Sequence, residues 1–127
     1  MAWNDKRPMS PHLQIYDLPM TAKLSVLHRG TGAVLALGML LLVISLAVAA
    51  GGESGWGSYQ GVLFGWLGKL VLFGFTFALY YHFCNGLRHM WWDLGRGLDL
   101  SHAAASGKLV LGASAGLTVV TWLIALL

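Results

Sequence analysis

Two histidines in an otherwise apolar stretch are the residues of this sequence best suited to do chemistry. They lie in residues 80–93, which end a strongly apolar run. His82, Gly86 and His89 are spaced i, i+4 and i+7, and this spacing places them on one face of a helix. Ionisable groups inside a membrane-length segment are costly, so their presence suggests a function.

The residues allow two interpretations of His82. A neutral imidazole in an apolar run needs a hydrogen-bond partner or a metal. His82 would therefore be either an axial haem ligand or a packing histidine bonded to a neighbouring helix. In the haem case, Gly86 would leave room for the flat porphyrin, with Arg88 and His89 near the propionates. His28 lies closer to the interface, so a second axial ligand would come from another protein chain.

A second polar group lies at the start of the first apolar segment. Ser25, His28, Arg29 and Gly32 are spaced i, i+3, i+4 and i+7 and share one helix face. Ser25 could donate to the carbonyl of a small ligand, and Arg29 could stabilise developing negative charge. The simpler interpretation is a helix cap plus an arginine that reaches the lipid phosphates.

Other residues carry less specific signals. Asp93 is an acid beside Trp92, and it either ends the helix or exchanges protons. The single cysteine, Cys84, excludes an internal disulfide and a Cys-based zinc site, and it is interpreted as a packing residue. The sequence has no phosphate-binding glycine loop, Ser-His-Asp order or H-E-x-x-H motif, so no residues are assigned to catalysis by this chain alone.

The composition is that of a membrane protein. Hydrophobic residues make up 57% of the 127 residues and charged residues 10%, whereas soluble domains carry about 25% charged residues. Three uncharged segments, 30–52, 70–87 and 109–127, approach the roughly 20 residues that a bilayer requires. We predict an all-α membrane protein, a single anchor domain over residues 1–127.

The predicted helices cover residues 23–50, 59–93 and 104–127, after a proline-broken arm over residues 1–20. The second helix would be roughly 50 Å long, so one end must protrude from a core of roughly 30 Å or tilt within it. Gly112 and Gly116 form a G-x-x-x-G pair that favours close helix packing, although chance explains such a pair equally well. Three helices can hardly enclose a large site, so we expect partner subunits.

The basic residues predict the orientation. They flank the arm and the second connection, whereas the first connection carries none and contains Glu53. This pattern puts the N-terminus and the second connection in the cytoplasm or matrix, with Lys69 as the exception. The net charge of +3 therefore indicates orientation and not nucleic-acid binding. Because the first sixteen residues resemble neither a signal peptide nor a transit peptide, we expect a bacterial cytoplasmic membrane more than a mitochondrial inner membrane.

Three motifs in the same order resemble the cytochrome b large membrane-anchor subunit of succinate dehydrogenase, respiratory complex II. They are Arg-Pro-Met-Ser-Pro-His-Leu-Gln-Ile-Tyr at residues 7–16, Ser-Val-Leu-His-Arg-Gly-Thr-Gly at residues 25–32, and His-x-x-x-Gly-Leu-Arg-His-Met-x-x-Asp at residues 82–93. The resemblance covers essentially the whole chain. Met9 replaces the usual leucine of the first motif.

The resemblance implies a subunit of succinate:ubiquinone oxidoreductase that is not catalytic alone. Its expected partners are a flavoprotein subunit, an iron–sulfur subunit, a second small haem-ligating membrane-anchor subunit and the lipid bilayer. Haem b would be shared with the second anchor, and ubiquinone would be the substrate. The alternatives are the anchor of a quinol:fumarate reductase and a non-redox membrane scaffold.

The resemblance also implies residue roles. His82 corresponds to the axial ligand of the haem iron, and Ser25 and Arg29 correspond to the quinone-binding pair. The other implied positions are His28, Arg29 and His89 near the haem propionates, Asp93 as an acid near the quinone-side surface and a candidate proton relay, and Ser10, Pro11 and His12 against the iron–sulfur subunit.

Overall fold

The computed structural model describes residues 17–127, and this part of the chain is helical with no strand. Its four helices are α1 (Met20–Ala50), α2 (Glu53–Leu63), α3 (Trp66–Asp93) and α4 (Leu100–Leu126). By length and composition, α1, α3 and α4 are able to cross a membrane. The prediction of an all-α membrane protein with three spans is therefore confirmed. Most of the predicted arm, residues 1–16, lies outside the described residues.

The structure differs from the predicted single helix over residues 59–93. This segment is divided between α2 and α3 by a break at Phe64 and Gly65, where Gly65 has an extended backbone with ψ of 169°. At Gly68, a Cβ would collide with the carbonyl oxygens of Val62 and Leu63. The chain can therefore turn sharply here because position 68 has no side chain.

The break allows α2 to fold beside α1. The hydroxyls of Ser45 and Tyr59 are 2.7 Å apart and form a hydrogen bond between the two helices. The excess length that the sequence predicted for the second helix is thus removed by a turn, and no end needs to protrude. The glycines at 61, 65 and 68 are the sequence signal for this turn.

The hydrophobic core lies at one end of the bundle, where α1 begins, α3 ends and α4 begins; we call this the polar end. Leu24, Tyr81 and Val110 form its centre, one residue from each long helix, and Cys84 packs against them. Cys84 is therefore a packing residue, as the sequence predicted.

Helices α3 and α4 pack closely because α4 presents small residues to α3. Its buried positions recur every three or four residues: Ala103, Gly107, Val110, Ser114 and Thr118. Within residues 17–127, a Cβ on Gly112 or Gly116 would meet no atom within 4 Å. The G-x-x-x-G pair is thus not used for packing inside this part of the chain, and Gly107 is the glycine at the contact.

Helix α1 is mostly uncovered. Leu24 and Thr31 are its buried residues, and many of its large apolar side chains are exposed. A groove of about 650 Å³ between α1, α2 and α3 is lined almost entirely by apolar residues, including Leu42 and Phe75. Exposed apolar surface of this extent needs lipid or other subunits to cover it.

Candidate functional site

Three imidazoles meet at the polar end. His28 comes from α1, His82 and His89 come from α3, and all three are half-buried. The ring centroids of His28 and His82 are 4.0 Å apart and the rings are nearly parallel, with an interplanar angle of 11°. The centroids of His28 and His89 are 5.3 Å apart. Helical spacing on α3 and the crossing of α1 over α3 bring the three rings together.

The stacking also decides what His28 can do. The sequence placed His28 nearer the interface than His82, but the structure puts the two rings in contact. Parallel rings with centroids 4.0 Å apart leave no space for a flat macrocycle between them. His28 is therefore not arranged to be a second axial ligand opposite His82, and that ligand would have to come from elsewhere.

One ring nitrogen of His82 is held by α1. Nδ1 lies 3.2 Å from the backbone carbonyl of His28 and 3.4 Å from Oγ1 of Thr31. With its proton on Nδ1, the ring donates to the carbonyl and keeps the lone pair of Nε2, which has no hydrogen-bond partner within residues 17–127. Metal-ligating histidines generally have this arrangement, in which the other nitrogen donates to a backbone carbonyl or carboxylate.

Two glycines provide space around His82. A Cβ on Gly32 of α1 would lie 3.0 Å from Cε1 of His82, so the ring can rest against α1 because that side chain is absent. On α3, a Cβ on Gly86 would meet no described atom within 4 Å. The histidine face of α3, formed by His82, Gly86 and His89, therefore has open space beside its middle position. A flat group placed there would meet no side chain at position 86.

Ser25 and Arg29 lie on α1 at the same end of the bundle. Ser25 is half-buried and Arg29 is exposed. Neither side chain has a hydrogen-bond partner in the part of the chain that the structure describes. The hydroxyl could donate to a carbonyl oxygen, and the guanidinium could bind an anionic group. Their exposure means that other chains or lipid would have to close any site they form.

The sequence placed Arg88 with His89 near the haem propionates, but the structure buries the Arg88 side chain. It is 7% exposed and bonds to three groups. Nε donates to Oγ of Ser106 (2.9 Å), Nη1 to Oδ1 of Asn85 (3.2 Å) and Nη2 to the carbonyl of Ala103 (2.8 Å). The guanidinium also lies over the ring of Trp92, 4.0 Å from its centroid. Through these bonds Arg88 joins α3 to α4. The hydrogen bonds also make the burial of its charge tolerable.

The sequence reasoning missed Tyr81 and Asn85. The Tyr81 hydroxyl donates to the carbonyl of Leu24 on α1 at 2.8 Å, and both α3 residues are fully buried. Together with Arg88 they form a second i, i+4, i+7 set, which we call the buried face of α3. The set precedes the histidine face by one position, so the same spacing argument could have found it. Asn85 Nδ2 has no partner among the described residues.

The remaining candidates lie at the margins. Asp93 is the last residue of α3 and is exposed. His102 is also exposed, with Nδ1 3.4 Å from the Asp99 carboxylate. Ser10, Pro11 and His12 lie outside the described residues. Within residues 17–127, no group of three histidine, cysteine, aspartate or glutamate side chains is arranged to hold a metal ion. An iron bound through His82 would therefore need its other ligands from outside residues 17–127.

The fold and the histidine cluster define a class: a multi-span helical membrane subunit with a partly open polar site at one end. The family described as succinate dehydrogenase/fumarate reductase transmembrane subunit matches residues 4–121. The chain belongs to this family.

Similar proteins are named as cytochrome b subunits of succinate dehydrogenase. The chain is 37% identical to the succinate dehydrogenase cytochrome b556 subunit of Paracoccus denitrificans over 118 residues, covering 93% of this chain and 91% of the relative. It is 34% identical to the cytochrome b560 subunit of Reclinomonas americana, covering 95% and 88% of the two chains. The mitochondrial cytochrome b560 subunit of Sus scrofa is 38% identical, covering 86% and 68%. The resemblance to the cytochrome b anchor of complex II is confirmed.

Proposed function

We propose that this chain binds haem b and forms part of the quinone-reduction site of a succinate:ubiquinone oxidoreductase. The observation that carries the proposal is the set of contacts around the His82 ring. Its Nδ1 is held by the His28 carbonyl, its Nε2 has no described partner, and open space lies beside Gly86. The names of the relatives, cytochrome b subunits of succinate dehydrogenase, support the same assignment.

In this proposal His82 would hold the haem iron through Nε2. Because His28 stacks on His82, a second small anchor subunit would supply the other ligand in place of His28. His28, Arg29 and His89 lie where propionates at the polar end would be bound. When bound, haem b would supply a one-electron store.

Ser25 and Arg29 carry the quinone chemistry. The Ser25 hydroxyl donates a hydrogen bond to a quinone carbonyl oxygen, and the Arg29 guanidinium stabilises the negative charge that develops on the oxygen during reduction. Ubiquinone takes up two electrons and two protons. The electrons come from the iron–sulfur subunit, and Asp93, exposed at the end of α3, relays protons from the aqueous side.

The partners follow from the same assignment. The flavoprotein and iron–sulfur subunits lie on the cytoplasmic side of a bacterial inner membrane, the side that the basic residues predict for the N-terminus. The arm, with Ser10, Pro11 and His12, lies against the iron–sulfur subunit. The exposed apolar surface of α1 is covered by the second anchor and by lipid.

The quinone assignment is tested with Ser25→Ala in the purified complex. Quinone reduction should fall, while succinate oxidation with a soluble dye should persist because the flavin site is remote from this chain. The matched control is Ser101→Ala, which removes an exposed hydroxyl at the start of α4, also at the polar end. Unchanged quinone reduction in Ser25→Ala would remove Ser25 from the site.

The haem assignment is tested with His82→Ala. The low-spin haem absorption in reduced-minus-oxidised spectra should disappear or change, whereas His102→Ala, at an exposed histidine, should leave it unchanged. A normal spectrum in His82→Ala would contradict the ligand assignment. A purified complex that contains no haem would contradict the haem assignment.

A second candidate is the anchor of a quinol:fumarate reductase, because the family description includes fumarate reductase. The two directions are separated by comparing succinate oxidation with ubiquinone and fumarate reduction with a low-potential quinol. Faster fumarate reduction under matched conditions would favour the second candidate.

A further inference from the structure

The residue before Ser25 is fixed from two sides. Leu24 is 3% exposed, and its backbone carbonyl accepts a 2.8 Å hydrogen bond from the Tyr81 hydroxyl of α3. From α4, Gly107 approaches the Leu24 side chain so closely that a Cβ at position 107 would collide with Cδ1 of Leu24. Leu24 is thus the point where α3 and α4 both hold α1.

The position of Leu24 in α1 gives this contact its consequence. Residues 24–29 are continuous helix, so Ser25 and Arg29 move together with Leu24. Ser25 follows Leu24 by about 100° around the helix axis. A rotation of α1 about its axis therefore redirects the side chains of Ser25 and Arg29 together. Thr31 is the other buried residue of α1. The rotation of α1 therefore depends strongly on the contact at Leu24.

We infer that Tyr81 and Gly107 are positioning residues for quinone reduction. They set the rotation and depth of α1 so that Ser25 and Arg29 point at the same ligand. This inference rests on the proposed quinone role of Ser25 and Arg29. Neither Tyr81 nor Gly107 touches the ligand: Tyr81 acts through the Leu24 carbonyl, and Gly107 acts by leaving room for the Leu24 side chain.

The first test compares two tyrosines that are adjacent on α3. Tyr81→Phe removes the bond to Leu24, whereas Tyr80→Phe removes a 2.7 Å bond to Thr121 of α4, away from Leu24. In the assembled complex, Tyr81→Phe should raise the KM for a short-chain ubiquinone about twofold to tenfold, the effect of one lost hydrogen bond. Dye-linked succinate oxidation should be unchanged in both variants, and Tyr80→Phe should keep the wild-type KM.

If Tyr81 had a purely structural role, Tyr81→Phe and Tyr80→Phe would have the same effects. Both variants lose one hydroxyl bond between helices, so both should lower the thermal stability of the complex to a similar extent. Binding of a quinone-site inhibitor, measured by titration, should weaken in Tyr81→Phe alone. Equal KM and equal inhibitor affinity in the two variants would overturn the inference.

The second test uses glycines of α4. Gly107→Ala should push Leu24 outward and raise the quinone KM, whereas Gly112→Ala adds a methyl group that meets no described atom and should have no effect. Adding Leu24→Val to Gly107→Ala makes room again and should restore part of the KM. If the complex with Gly107→Ala does not assemble, the comparison of Tyr81→Phe with Tyr80→Phe alone tests the inference.

Measuring Ser25→Ala in parallel separates this inference from the proposed function. If Ser25→Ala impairs quinone reduction but Tyr81→Phe behaves like Tyr80→Phe, the positioning role alone is wrong. If Ser25→Ala leaves quinone reduction unchanged, the quinone face and its positioning residues are both wrong.

Discussion

Helix α3 carries two polar faces that differ by one residue in register. On the buried face, Tyr81 bonds to α1 and Arg88 bonds to α4, while Asn85 accepts a bond only from Arg88 of the same helix. The histidine face, His82, Gly86 and His89, is held by α1 on one side and has open space beside Gly86. From the sequence alone, both faces carry polar side chains that are costly to place inside a membrane-length segment. The two faces therefore differ in burial: the first is enclosed by α1 and α4, and the second is open beside Gly86.

The largest effect on stability is expected at the buried face. Arg88→Lys keeps the buried charge but cannot reproduce the bonds to Ser106, Asn85 and Ala103, because an ammonium carries its three donors on one nitrogen and the guanidinium uses three. We expect the complex to lose about 3 kcal/mol of stability in thermal or detergent-driven unfolding. Arg29→Lys, on the exposed side of α1, should change stability by less than about 0.5 kcal/mol. Similar losses in both variants would contradict the assignment of Arg88 to packing.

A substitution at Gly86 reverses the comparison, because it should affect haem and not folding. A Cβ at position 86 meets no described atom within 4 Å, and leucine has a higher helix propensity than glycine, so we expect the chain itself to be as stable as before. If the porphyrin fills the space, overpacking should weaken haem binding by about 3 kcal/mol. The measurement is haem content per complex, with Gly112→Leu as the control. Full haem occupancy in Gly86→Leu would place the haem elsewhere.

A smaller effect is expected where α1 meets the histidine face. In Gly32→Ala the new methyl carbon would lie 3.0 Å from Cε1 of His82, so the ring must move by a few tenths of an ångström. We expect about 1 kcal/mol of weakened haem binding and a shifted haem spectrum, with assembly retained. Gly30→Ala, where a Cβ meets nothing within 4 Å, is the control. Identical spectra in the two variants would mean that the ring is not held against α1.

The smallest effect is expected at Thr31. Its hydroxyl donates to the His28 carbonyl at 2.9 Å and lies 3.4 Å from Nδ1 of His82, which retains the carbonyl as a partner. Thr31→Val should therefore cost no more than about 1 kcal/mol in thermal unfolding of the complex. A loss as large as that of Arg88→Lys would show that the histidine face is held more firmly than its geometry indicates.

The sequence predicted the parts of the fold that depend on local composition. Three uncharged apolar segments predicted three spans, and all three are helices in the structure. Helical spacing placed His82 and His89 on one face. The break at Phe64 and Gly65 was missed, since the apolar run continues across it and the glycines nearby fit either close packing or a turn.

Residue roles were predicted less well where they depend on a neighbouring helix. The sequence grouped Arg88 with His89 because both lie near the predicted interface. On the helix they point in different directions, and α4 happens to lie on the side of Arg88. Tyr81 and Asn85 were missed because an aromatic and an amide in an apolar run resemble ordinary packing residues.

By itself, the sequence determined the class of protein, the helical spans and the spacing of the histidines, because apolar length and helical periodicity are local properties. Only the tertiary structure decided which face of α3 is buried against α1 and α4. That outcome depends on where α1 and α4 put the His28 carbonyl, Ser106 and the Ala103 carbonyl, groups that lie fifteen to more than fifty residues from their partners. The histidine face has open space beside Gly86 because no helix of the described chain covers it.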